Sequence, residues 1–405
     1  MSAAEPLTPK SHDEARTRGH GSQAHVGGGK DRGQRSYSGN AGLERATELK
    51  ILAVDVGQGT KDILLYDSES VLENCIKLIL PSPTRVYAQA VRRATQAGED
   101  LLLTGSIIGG GPLSGTLRRH VAGGRQVLIS EGAAFTIRND LEEIAQMGIK
   151  VVREAPRDFK GRVLRLSELD LDTLSRFMAT VGEDLHSIDC VAVAVQDHGP
   201  LPKGASHRRS RLGAMKGLLE KSPHPWALAF SVEEVPEGHV RMHSVARECH
   251  VLPQPHAFLM DTAPAAICGC LEDPQVKAVA GGDILAVNVG NGHTMAALVG
   301  NGVVRGVFEH HTRLLEPRKL GDYLRRFADG AVTDEEVFTD GGHGAFYLDT
   351  APTFARLKMV AVTGPNRALM GETGLPIHYA MPGGDVAITG PLGLVAAIKT
   401  RLEKG

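Results

Sequence analysis

Aromatic side chains make up only 4% of the 405 residues, with a single tryptophan. So thin a supply excludes the stacking platforms that hold single-stranded nucleic acid. Charge of one sign is also lacking: 45 Lys and Arg stand against 47 Asp and Glu, a formal net charge of -2. That balance gives no field to draw nucleic acid or an anionic membrane surface, so neither is expected as a partner. No apolar run reaches the roughly 18 to 20 residues needed to cross a bilayer. The N-terminus has no apolar signal-peptide core. Cysteine is scarce. Cys75, Cys190, Cys249, Cys268 and Cys270 are odd in number and widely spaced, which excludes a disulfide framework and fits a reducing cytoplasm.

What is present is glycine and histidine, 48 and 17 residues, many of them in short glycine–histidine motifs. The length allows two domains with a sizeable core in each. Residues 1–48 are polar and rich in Gly, Ser, Arg and His, too apolar-poor to offset their ordering entropy, and read as a disordered tail. Beyond it, strands are expected over 51–56, 62–66, 75–80, 101–103, 127–129, 190–195, 284–287, 295–299, 303–308, 359–362 and 386–388. Helices are expected over 86–97, 113–120, 141–147, 169–180, 208–220, 320–328 and 392–402. The interleaving means an α/β protein. A Pro-, His- and charge-rich stretch over 199–256 places a boundary near 200, giving an N-terminal lobe over 49–200 and a C-terminal lobe over 201–405.

One device occurs twice. Val54-Asp55-Val56-Gly57-Gln58-Gly59-Thr60 and Val287-Asn288-Val289-Gly290-Asn291-Gly292-His293-Thr294 each join two apolar segments through a glycine turn. Glycines there free backbone angles and let amide N–H groups approach an anion. Thr60 and Thr294 add hydroxyls, and Lys61 adds a charge. Asp55 is placed to hold hydrated Mg²⁺, a hard ion that prefers oxygen ligands. Either turn alone is equally an ordinary hairpin. A third element, Asp385-Val386-Ala387-Ile388-Thr389-Gly390-Pro391-Leu392-Gly393, reads as a buried strand, a turn and a helix start. Gly390 and Gly393 there let a flat adenosine lie on backbone at a helix N-terminus.

In order, these elements resemble the phosphate-1, phosphate-2 and adenosine motifs of the actin, sugar-kinase and heat-shock ATPase superfamily. The resemblance implies a two-lobed actin-like ATPase (ribonuclease H-like) fold with ATP and Mg²⁺ in a cleft between the lobes. Asn288 stands where the second motif usually has Asp, and an amide supplies no negative charge to Mg²⁺. Across residues 50–400, Gly109-Gly110-Gly111-Pro112, Gln196-Asp197-His198-Gly199, Met260-Asp261-Thr262, Asn291-Gly292-His293-Thr294, Glu309-His310-His311-Thr312, Gly341-Gly342-His343-Gly344 and Gly364-Pro365-Asn366-Arg367 together resemble a domain family labelled pyruvate formate-lyase activating enzyme-like. Radical-SAM activating enzymes hold their cluster through Cys-x3-Cys-x2-Cys, a spacing absent from these five cysteines.

Gln196-Asp197-His198-Gly199 is similar to the turn beside the sugar in xylulose-type sugar kinases. An Asp before the phosphate-2 motif in those kinases acts as general base, which makes Asp261 the first candidate base and Asp197 the second, with His198 beside it. Asp261 reads equally as a helix N-cap. Gly57, Gln58, Gly59, Thr60, Gly290, Asn291, Gly292, His293 and Thr294 are the expected phosphate contacts. Imidazoles and carboxylates suit Zn²⁺, Mn²⁺ or Fe²⁺. Asp55, His310, His311 and His343 are the candidate metal ligands, although strand alternation sends His310 and His311 to opposite faces. Arg367 serves a phosphate or a surface ion pair. Three functions stay open: an ATP-dependent enzyme that phosphorylates a small molecule or hydrolyses ATP to close its lobes, an ATP-driven activator of a radical enzyme bridging a cluster through Cys268 and Cys270 of two subunits in a homodimer, and a non-catalytic nucleotide or metal sensor.

Overall fold

The computed structural model describes residues 48–197, 206–253 and 256–404. Apart from Glu48, the tail expected over 1–48 lies outside them, as does His198. The chain opens with an antiparallel meander of β1 (Lys50–Val56), β2 (Thr60–Asp67) and β3 (Ile76–Pro81). An inserted layer follows: α1 (Pro83–Ala97), β4 (Leu101–Gly105), α2 (Gly111–Ala122), β5 (Val127–Ser130), α3 (Glu131–Ala134), α4 (Leu141–Gln146), β6 (Lys150–Val152) and β7 (Arg162–Leu166). Its four strands run parallel in the order β6-β5-β4-β7 around Leu101, Leu103, Leu113 and Leu117.

The chain then returns through α5 (Leu171–Ala179) to β8 (Cys190–Val195), which pairs parallel with β1. After α6 (His207–Lys221), β9 (Phe230–Ser231) and α7 (Val240–Cys249), β10 (His256–Met260) pairs parallel with β8. The first sheet is therefore β3-β2-β1-β8-β10-β9. A boundary at 200 falls inside it, because β9 and β10 lie beyond that position.

Helices α8 (Thr262–Leu271) and α9 (Pro274–Ala278) lead into a second meander, β11 (Asp283–Val289), β12 (His293–Gly300) and β13 (Val303–His311). Next come α10 (Pro317–Ala328), α11 (Asp334–Thr339), β14 (Gly344–Tyr347), β15 (Met359–Thr363), β16 (Ile377–Tyr379) and α12 (Thr389–Lys404). The second sheet is β14-β13-β12-β11-β15-β16, with β15 parallel to β11 and β16 parallel to β15. Both sheets repeat one plan: three antiparallel strands, then two parallel strands added beside the first. This is the doubled ribonuclease H-like arrangement of the two-lobed actin-like ATPase fold.

Side-chain alternation explains the layering. On β1, Leu52, Val54 and Val56 face an outer core shared with α5 and α7, while Ile51 and Ala53 face inward. On β11, Leu285, Val287 and Val289 face an outer core under α10, while Ile284 and Ala286 face inward. The inward faces of both sheets meet α8 and α12 in one shared core. Asp55 and Asn288 continue these inward rows at the carboxyl ends of β1 and β11.

The α8–α12 crossing corrects one expectation. A side chain on Gly393 would strike the Ala265 carbonyl, and one on Gly269 would strike that of Thr389. Gly393 is thus spent on close helix packing and does not line the cleft. Residues 386–388 are a 3-10 turn, not a strand, since β16 already occupies the edge beside β15. Helix α8 carried no periodic signal because it is apolar on every side.

Candidate active site

The two glycine turns close with the same backbone bond. Gly57 N–H donates to the Thr60 carbonyl at 3.0 Å, and Gly290 N–H donates to the His293 carbonyl at 2.9 Å. The tips face each other reciprocally. A side chain on Gly59 would meet the Asn291 amide at 2.6 Å, and one on Gly292 would meet the Gln58 amide at 3.3 Å. Between them lies a cleft of about 580 Å³, within the range of small-molecule sites. Its walls include the carboxyl ends of β1, β8, β11 and β15, through Val56, Gln196, Gly290 and Thr363. Gly109, Gly110 and Gly111, leading into α2, form another wall.

Strand alternation sorts the residues of each turn. Gly57, Gln58, Thr60, Gly290, Asn291, Gly292 and His293 line the cleft. Lys61 and Thr294, the next residue in each repeat, turn away from it. The Lys61 ammonium donates to the Leu169 carbonyl at 2.8 Å, and the Thr294 hydroxyl pairs with that of Thr312 at 3.0 Å. Both were expected to face a phosphate. The Thr60 hydroxyl donates to Asp62 at 3.1 Å.

Asp55 and Asp62 are directly opposed on β1 and β2, and both line the cleft. Each has one buried carboxylate oxygen, Oδ1, without a hydrogen-bond partner. Burial, then the Asp62 and Asp261 charges, push the Asp55 carboxyl well above the usual range. Burial pushes Asp62 up to about 6. Two carboxylates with spare oxygens fit a hard divalent cation such as Mg²⁺. Asp62 escaped sequence analysis, although a hairpin register readable from the turn places it opposite Asp55. Gly390 is the adenosine-motif residue that does line the cleft, and a side chain there would strike the Asp55 carboxylate.

The candidate bases are committed elsewhere. Asp261 caps α8 by accepting from Ala263 N–H at 3.1 Å, and it accepts from the Arg211 guanidinium at 2.7 and 3.3 Å. The cap reading of Asp261 is the one realised. Asp197 Oδ2 accepts from the backbone N–H groups of Arg241 and Met242, both at 2.9 Å, at the start of α7.

The histidines divide by face. The β12–β13 ladder pairs His293 with His311 and Thr294 with His310. His310 therefore points away from the cleft. Its Nε2 lies 3.0 Å from Asp340, and its ring packs near Phe308 and Tyr323. It is excluded from any ion held by the cleft histidines. His293 and His311 face the cleft, where His343 joins them, with one nitrogen from each ring within 4.8 Å of the others. Burial pushes His293 down to about 3 and His311 down to about 4, leaving both imidazoles neutral. Glu309, fully buried, salt-bridges Arg211 and lies 3.2 Å from His343 Nδ1. Arg211 lies 98 positions from Glu309 and 50 from Asp261, so no local pattern announced this network.

Arg367 Nη1 donates to the Gly364 carbonyl of its own turn at 3.4 Å. All five cysteines are buried and free, and burial pushes Cys268 and Cys270 up to about 12. Ellman's reagent is therefore expected to label none of the five in the native chain at pH 8 and all five after denaturation. Native labelling of Cys268 or Cys270 would restore the cluster-bridging reading. No helix among the described residues is long and apolar enough to cross a membrane.

Solved structures with a similar chain course include the ROK hexokinase from Thermus thermophilus, at 12% identity and TM-score 0.31, covering 88% of this chain and 100% of that one. MreB5 of Spiroplasma citri bound to ADP matches at 11% identity and TM-score 0.30, covering 88% and 99%. A PilM–PilN type IV pilus biogenesis complex matches at 11% identity and TM-score 0.38, covering 87% and 98%. No curated protein matches the chain. A family profile matches residues 108–369, well over half of the sequence, and by that match the chain belongs to the family described as putative pyruvate format-lyase activating enzyme (DUF1786).

Proposed function

We propose that this protein is an ATP- and Mg²⁺-binding enzyme that either phosphorylates a small molecule or hydrolyses ATP to drive closure of its lobes. The observation that carries this reading is the pair of glycine turns with matching backbone bonds, set tip to tip across one cleft. Backbone N–H groups of Gln58, Gly59 and Thr60 and of Asn291, Gly292 and His293 are the phosphate donors in this reading, because those of Gly57 and Gly290 close the turns. Asp55 and Asp62 hold the Mg²⁺, which supplies charge neutralisation for the phosphates when bound. Gly390, with Gly364, Val386 and Ala387, forms the adenosine wall. Asn288 offers an amide at the second turn, donating to phosphate without adding negative charge.

A second reading, a nucleotide sensor without turnover, has its own support. Asp261 and Asp197 both spend their carboxylates on structural contacts, and Asn288 brings no acidic ligand from the second turn. Phosphate release across candidate acceptors separates the two readings.

Thermal unfolding tests the shared claim. A ligand at 100 times its Kd stabilises the folded state by about 2.7 kcal/mol. Mg-ATP is expected to raise Tm, Mg-ADP to raise it less, and adenosine to have little effect. A shift from adenosine equal to that from Mg-ATP would remove the phosphate turns from the account.

A further inference from the structure

We propose that His293, His311 and His343 form a binding site for one divalent transition ion, Zn²⁺ by preference, with Glu309 orienting His343. The three rings come from three places in the chain, and the sheet brings them together. His293 starts β12, His311 ends β13 directly across the ladder from it, and His343 N–H continues the ladder onto the Glu309 carbonyl at 2.9 Å. Ring centroids are 4.7, 4.8 and 5.0 Å apart, a nearly equilateral group, and His343 stands edge-on to both others.

The independent observation is His343 itself. It is 1% exposed, yet neither ring nitrogen has a properly aligned hydrogen-bond partner. A buried histidine whose Nε2 meets no partner is costly, and such a group calls for a ligand, a water or an ion. Its Nδ1 faces Glu309 at 3.2 Å, which leaves Nε2 for an ion. A carboxylate behind a ligating histidine fixes tautomer and ring direction, the usual support of such a ligand. Glu309 is in turn held by Arg211, which also pairs with Asp261.

Three imidazole nitrogens without sulfur suit a borderline ion, unlike the all-oxygen pair Asp55 and Asp62. One cleft thus sorts two cations by ligand softness. Three protein ligands also leave a fourth position open on the side that His293 and His311 present to the cleft. Water or an anionic oxygen of a cleft ligand would complete it. This proposal does not depend on nucleotide binding.

The test uses full-length, untagged protein stripped by a chelator and titrated with Zn²⁺, and separately with Co²⁺, without nucleotide. Every sample carries His12→Asn, His20→Asn and His25→Asn, which removes competing histidines of the N-terminal stretch. One Zn²⁺ per chain is expected, with the Co²⁺ form showing the intense visible bands of a four-coordinate site. His311→Ala and His343→Ala are each expected to lose affinity by about 100-fold, and Glu309→Gln by about 10- to 100-fold. His310→Ala, on the opposite face, should bind as before. His311 lies at the cleft surface, so its variant should stay folded by circular dichroism even if His343→Ala does not. Absence of stoichiometric binding, or binding that survives His311→Ala, would overturn the proposal.

Discussion

Arg211→Ala is expected to destabilise the folded chain by about 3–5 kcal/mol, the range for removing one partner of a buried ion pair. The Arg211 side chain is 3% exposed and bridges two buried carboxylates. It donates to Asp261 from Nε and Nη2, and to Glu309 from Nη1. Its loss strands both charges away from water. Burial alone would raise the Glu309 carboxyl, yet Arg211 and His343 hold it well below the usual range. A carboxyl depressed in the folded state contributes stability above its unfolded pKa and loses it as pH falls through the folded one. In Arg211→Ala the burial that raises the Glu309 carboxyl loses its main opponent, so the variant's deficit should be largest near neutrality and shrink in acid as Glu309 takes up a proton. Lysine is not a rescue, because it cannot span two carboxylates with a planar fork. Urea denaturation at pH 7 and pH 4 measures this directly. A loss below about 1 kcal/mol at pH 7 would mean the pair is solvated like a surface bridge.

Asp55→Ala is expected to act in opposite directions on stability and on binding. Asp55 is buried with one oxygen unpartnered and Asp62 opposite it. Its carboxyl is raised by burial first and by Asp62 next. A carboxyl whose folded pKa is raised costs stability once pH exceeds that of the unfolded chain, and the cost grows up to the folded pKa. Removing Asp55 should therefore leave stability at pH 7 unchanged or higher. Binding should move the other way, because Mg²⁺ loses one of two carboxylate ligands. The expected loss is about 3 kcal/mol in Mg-nucleotide affinity, roughly 100-fold. Stability traded against binding marks a site built for a ligand.

The doubled turn was legible because its grammar is local: an apolar strand, two glycines, another apolar strand. Asp55 followed from that, and Asp62 was within reach of the same hairpin register. The histidines were half legible. Alternation set His310 and His311 on opposite faces, but only the ladder to His293 decides which one faces the cleft. His343 enters from 32 positions beyond His311, a placement that strand pairing alone creates. Gly393 misled because a helical glycine reads equally as a ligand contact or a helix contact, and Ala265 claims it. Asp261 carries the residue type of a base and the position of a cap, and the backbone N–H of α8 claimed it, while the first N–H groups of α7 claimed Asp197 from 44 positions away. Of the inserted sheet, β4 and β5 were legible at 101–103 and 127–129, while β6 (Lys150–Val152) and β7 (Arg162–Leu166) were too short and too mixed to stand out.

The most direct measurement is a calorimetric titration of Mg-ATP into the wild type and into Asp55→Ala, both shown to be folded. The account predicts saturable binding to the wild type and binding about 100-fold weaker in the variant. No heat with a folded, metal-replete wild type, or equal affinity in both proteins, would contradict it and assign the glycine turns to another ligand.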